Sequence, residues 1–165
     1  MNCIVAVDEN WGIGYQGNLL FRISDDMKMF KALTTGGKVI MGRKTLESFP
    51  GGKPLPNRMN IVITRNEDYQ CEGTTVVHST EEAARVIIGE RHKTWVIGGS
   101  EIYHQMLDSC YRVYVTKVLS EAKNVDTYFP NLDMMDEWKI VNLSGISKDP
   151  KTGLEYQFLI YERTK

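Results

Sequence analysis

A chain of 165 residues is long enough to bury a substantial core within one domain, and its 42% hydrophobic and 25% charged residues are ordinary for a globular protein. A formal net charge of −1 with no run of Lys or Arg argues against nucleic acid or an anionic membrane surface as partner. The opening "MNCIVAVDEN" meets an acid where a secretory core would continue, and no apolar run approaches the roughly 20 residues of a membrane span, so a cytoplasmic chain with small-molecule ligands is expected.

The first strand signal is "CIVAV", residues 3–7. Residues 12–17, "GIGYQG", match G-x-G-x-x-G letter for letter. The dinucleotide-binding mechanism needs those glycines to turn directly from a strand into a helix that meets a pyrophosphate. Here Asp8 to Trp11 intervene and the extended "NLLF" follows, so the segment reads as a flexible glycine-rich loop, able to serve as a lid.

Ser24 has the chemistry of an N-cap, and the spacing after it predicts an amphipathic helix over 25–33. On that helix Asp26, Phe30 and Leu33 share one stripe with Met29 beside it, while Lys28 and Lys31 point away and Asp25 falls toward the edge. Either acid can complement the helix dipole, a surface effect of about 0.3–1 kcal/mol. A carboxylate within an apolar stripe is also costly to bury unless a partner brings matching donors. The residues alone leave Asp26 open between a dipole partner and a functional acid.

Further strand signals are "KVIMG" (38–42), "NIVIT" (60–64), "TTVV" (74–77) and "TWVIG" (94–98), with a short helix from Arg43 and longer ones at "STEEAARVII" (79–88) and "SEIYHQML" (100–107) between them. Ser79 with Glu82 makes a capping box. The last third, "RVYVTKV", "WKIVNLS" and "EYQFLIYER", has no helix between its final two strands and suits antiparallel pairing. The expectation is one α/β domain: a central, mostly parallel eight-stranded sheet with an antiparallel C-terminal strand and about four flanking helices. Cys3, Cys71 and Cys110 are odd in number and far apart, which fits plain thiols. His78, His92 and His104 lack local metal-ligand spacing, and no metal is expected.

Ligands of open α/β sheets bind beyond the carboxyl ends of the strands, where this chain places "GRKT", "TRNED" and "GGSEIY". In "GRKT", Arg43, Lys44 and Thr45 offer donors at a helix start, where two cations oppose the dipole and make better sense facing an anion. The two glycines of "GGSEIY" permit close backbone approach, and Arg65 ends a third strand nearby. Together these loops point to an anionic cofactor with several phosphates.

Seven ordered segments, "IVAVDENWGIG", "DDMKMFK", "VIMGRKTLESF", "PLPNRMNIVIT", "VIGGSEIY", "YVTKV" and "DTYFP", span nearly the whole chain and resemble dihydrofolate reductase. The resemblance implies reduction of dihydrofolate by NADPH, with hydride transfer to C6 and a proton to N5, and antifolate inhibitors as further ligands; a monomer is the default for so compact a chain. It makes Asp26 the carboxylate that grips the pterin, a bidentate charge-assisted contact, and Thr116 the hydroxyl supporting it. Arg58 becomes the partner of the glutamate-tail carboxylate, and Met27, Phe30, Phe49 and Leu55 the apolar walls. Ile4, Val5, Ala6, Ile97 and Tyr103 fall at the pterin and nicotinamide pockets. On the cofactor side lie Gly42, Arg43, Lys44, Thr45, Ile63, Thr64 and Arg65, with Arg43 and Arg65 facing the 2′-phosphate. Gly98 and Gly99 match a pair joined by a cis peptide in the family, followed by Ser100, Glu101 and Ile102 at the cofactor. Ile13, Gly14, Asn18 and Leu19 match the mobile loop over the nicotinamide, and Thr127 falls beside the cofactor.

The sequence departs from the family at "LLFRIS", where Leu20, Phe21 and Ser24 replace Pro, Trp and Pro. Phe21 has no donor with which to hold the ordered water that the family tryptophan holds, which implies slower proton delivery and a shifted pH profile. Two rivals stand beside this reading: a pyrimidine reductase of the riboflavin pathway, which has less use for Asp26 with Arg58, and a catalytically dead NADPH-binding protein.

Overall fold

The structure is a computed structural model that describes residues 1–164. In chain order its elements are β1 (Asn2–Val7), β2 (Gly12–Tyr15), β3 (Asn18–Leu19), α1 (Ser24–Thr34), β4 (Lys38–Gly42), α2 (Arg43–Glu47), β5 (Met59–Ile63) and β6 (Thr74–Val77). The second half holds α3 (Thr80–Val86), β7 (Thr94–Gly98), α4 (Ser100–Met106), β8 (Arg112–Val118), β9 (Thr127–Tyr128), β10 (Trp138–Leu143), β11 (Ser147–Lys148) and β12 (Glu155–Arg163).

Eight strands form one continuous path, β10-β12-β8-β1-β7-β4-β5-β6, with the two-residue β11 added at β12. Pairing is parallel from β8 to β6 and antiparallel where β12 meets β8, β10 and β11. The near-continuous Val and Ile runs follow from burial on both faces. Successive side chains of β4 show it: Ile40 enters the core with Val96, Ala83 and Ile102, whereas Val39 and Met41 enter the other with Leu46, Phe30 and Leu33. Thus α3 and α4 cover one face and α1 and α2 the other. Each fully buried Val or Ile contributes about 1.5–3 kcal/mol relative to exposure.

Two local expectations change. The glycine-rich loop is a hairpin: β2 and β3 pair with each other and β2 pairs with the distant β9. Its glycines serve contact, since a Cβ on Gly12 would lie 2.8 Å from Val125 and one on Gly14 2.7 Å from Thr127 Oγ1. Gln16 and Gly17 both take the positive φ of the turn, which glycine adopts freely. Ser24 is also not the cap of α1. The capping position is Ile23, which has no side-chain acceptor, and the Ser24 N–H donates instead to Asp149 Oδ1 at 3.4 Å. Ser79 does cap α3, accepting from Glu82 N at 3.1 Å, while Glu82 Oε2 takes the N–H of His78 at 3.0 Å.

Candidate functional site

The first turn of α1 carries two adjacent acids that find different donors. Thr116 Oγ1, buried on β8 in register with Ala6 of β1, donates to Asp26 Oδ1 at 2.6 Å. Tyr156 of β12 donates its hydroxyl to Asp25 Oδ2, also at 2.6 Å. Burial raises the proton affinity of the half-buried Asp26 above that of an ordinary carboxyl group, and the Thr116 bond only partly opposes that rise. The hydrogen bond to Asp25 pushes the Tyr156 hydroxyl up to about 12. Among the described residues, Asp26 Oδ2 has no protein donor, so one carboxylate oxygen stands ready for a ligand.

Phe30, Phe49, Leu55 and Ile97, each half-buried, pack against the cluster of Ile4, Val39 and Trp95 and leave an apolar wall beside α1. Met27 and Leu19 are 55% and 74% exposed, too open for core side chains. Val5 is buried, and Ala6 beside it is half-buried near the end of β1. At the far end of α1, Arg58 Nη1 donates to Thr34 Oγ1 at 3.1 Å and its Nε donates to Pro56 O at 2.9 Å. Residues 26 and 34 lie roughly 12 Å apart along a helix axis. An acid therefore marks one end of the helix and a guanidinium the other, with apolar side chains between them.

Beyond the carboxyl ends of β4 and β5 opens a cleft of about 760 Å³. It gathers Gly42, Arg43, Lys44, Thr45, Ile63, Thr64, Arg65, Gly99, Ser100, Glu101 and Ile102, all picked out in the sequence. Its further wall of Asn66, His78, Ser79, Thr80, Glu81 and Gln105 was not. The signal was there in part: "HST" directly follows the strand "TTVV". His78 Nδ1–H donates to Thr64 O at 2.8 Å, tying the end of β6 to that of β5. Arg65 Nη2 meets Glu101 Oε1 at 2.8 Å, and Arg43 Nε lies 3.7 Å from Glu47 Oε1 with its guanidinium over the Tyr69 ring.

Ala6, Ile97, Gly98 and Tyr103 lie outside that lining, near the point where β1 and β7 end. The buried Tyr103 hydroxyl sits 2.8 Å from the carbonyls of both Ile4 and Ile97, joining those strands, and the Gly98–Gly99 peptide is cis. Ile13, Gly14, Asn18 and Thr127 belong to the small sheet. That sheet is fastened by Gln16 N to Asp126 Oδ2 at 2.8 Å and Asp126 N to Gly14 O at 3.0 Å. Phe21 packs against Ile23, Val118 and Tyr156. Among the described residues, no helix is long and apolar enough to cross a membrane.

The family model described as dihydrofolate reductase matches residues 1–163. A dihydrofolate reductase of Bacillus subtilis is 39% identical over 160 residues, covering 97% of this chain and 92% of the relative. One from Staphylococcus haemolyticus is 36% identical over 165 residues, covering 100% and 96%. The solved structure of Enterococcus faecalis dihydrofolate reductase complexed with NADP(H) and RAB-propyl superposes with a TM-score of 0.88 at 34% identity, covering 99% of this chain and 96% of that one.

Proposed function

The chain belongs to the dihydrofolate reductase family, and from that premise we propose that it reduces 7,8-dihydrofolate to 5,6,7,8-tetrahydrofolate with NADPH. The observation that carries the reading is the pair of poles on α1, Asp26 held by Thr116 at one end and Arg58 at the other. A pterin presents an amidine-like fork that a carboxylate accepts in bidentate fashion, and a glutamate tail presents a carboxylate that a guanidinium matches. The apolar wall between the poles suits the rings that join them.

The cleft suits the cofactor. Its volume accommodates a large ligand, and Arg43, Lys44 and Arg65 supply the cations that several phosphates need. Bound NADPH supplies the hydride that C6 receives. The protein positions the pterin through Asp26 and keeps its ring between Phe30, Phe49 and Ile97. Asp26 grips the side of the ring remote from N5, so the N5 proton arrives through water, whose access the β2–β3 hairpin controls.

The test is NADPH oxidation in the presence of dihydrofolate by the wild type and Asp26→Asn. The wild type turns over, and the variant loses about 10- to 100-fold in kcat/KM at neutral pH, the scale of a lost charged hydrogen bond. A wild type that binds NADPH but leaves dihydrofolate untouched would refute the assignment.

A further inference from the structure

We propose that Glu101 is a specificity-determining residue that competes with the cofactor's 2′-phosphate for Arg65 and so narrows the preference for NADPH over NADH. The inference rests on the NADPH reading above. The cleft holds three cations, Arg43, Lys44 and Arg65, and two carboxylates, Glu81 and Glu101. Only Glu101 of those two is engaged by a cleft cation: its Oε1 lies 2.8 Å from Arg65 Nη2.

The carboxylate is fixed from its own helix as well. Gln105, one turn on along α4, donates Nε2 to the same Oε1 at 3.3 Å, so Arg65 is drawn toward α4 across the mouth of the cleft. Arg43 is differently placed, because its acid Glu47 lies at the far end of α2, outside the lining. A phosphate monoester is best held by a guanidinium presenting two N–H groups. To use the Nη2 side of Arg65 it competes with Glu101, a competition open to it because the pair is exposed, 87% for Arg65 and 62% for Glu101. NADH lacks the 2′-phosphate and meets no such competition.

The test is a double-mutant cycle read by direct titration of NADPH and NADH into the wild type, Glu101→Gln, Arg65→Met and the double variant. Glu101→Gln is expected to tighten NADPH about 1.5- to fivefold, the range of one exposed charge pair, to leave NADH unchanged, and to give no gain once Arg65 is Met. Weaker NADPH binding in Glu101→Gln would overturn the proposal by showing that Glu101 holds Arg65 in its productive place. No change overturns it, as does a gain that persists without Arg65. Turnover of dihydrofolate is a separate readout: a chain that reduces dihydrofolate but shows no Glu101 effect keeps its function and loses this inference, whereas the expected cycle without turnover does the reverse.

Discussion

Phe21 offers carbon alone at a position where the family resemblance implies an indole N–H. It is half-buried among Ile23, Val118 and Tyr156, a setting that its sequence neighbours, Leu20 and Arg22, do not announce. If water must carry the proton to N5, a missing donor slows that step. Phe21→Trp is expected to raise kcat at neutral pH about fivefold, the worth of roughly 1 kcal/mol of hydrogen bonding, and to move the pH–rate profile. An unchanged profile would show that this water needs no such donor. At the same scale, the stripe position of Asp26 was legible from helical spacing. Its partner Thr116 came from the family resemblance alone, because 90 residues separate them and an isolated strand threonine carries no sign of what it faces.

For α1 the informative contacts come from the C-terminal segment, β12 and the turn before it. Its start is pinned twice, by Tyr156 on Asp25 and by Asp149 on the Ser24 N–H, which explains why the helix does without a side-chain cap at Ile23. Tyr156→Phe removes a donor to a charged group and is expected to lower stability by about 1–3 kcal/mol, measured by denaturant unfolding. Because the same turn carries Asp26, KM for dihydrofolate should rise more than kcat falls. Asp25→Asn, which keeps an oxygen acceptor, should retain most of both. A Tyr156→Phe protein with unaltered KM would mean that the turn is held by packing alone. The hairpin of β2 and β3 was illegible for a related reason. Gly-rich segments carry little strand preference, and its third strand, β9, lies more than 100 residues away.

Over the whole molecule, the Asp26 carboxyl links function to stability. Its proton affinity is raised in the folded state, chiefly by burial. The folded state therefore favours the protonated form, and that contribution is complete below the unfolded pKa of about 3.9 and lost as pH rises through the higher folded value. Above the folded value burial of the ionised acid opposes folding, so Asp26→Asn should raise Tm at pH 7, with the gain vanishing in acid. A Tm gain independent of pH would point to packing instead. The architecture itself was largely readable: Val and Ile runs located the main strands, the Ser79–Glu82 box located α3, and the loops after β4, β5 and β7 located the cleft. What stayed hidden were pairings between distant segments, where each partner alone looks ordinary.

The order of strands also sets a timetable for the chain as it is made. β1 precedes the other strands, yet it lies at the centre of the sheet, and among the described residues it pairs with β7 and β8. At about 5–20 residues per second of synthesis, the apolar segment "NCIVAV" waits roughly 5–20 s before Val118 has been added and its second neighbour can close on it. Throughout that interval a strand destined for burial on both faces is solvated and unpaired, which makes the newborn amino-terminal half the stage of this protein's life most exposed to aggregation and most in need of chaperone protection.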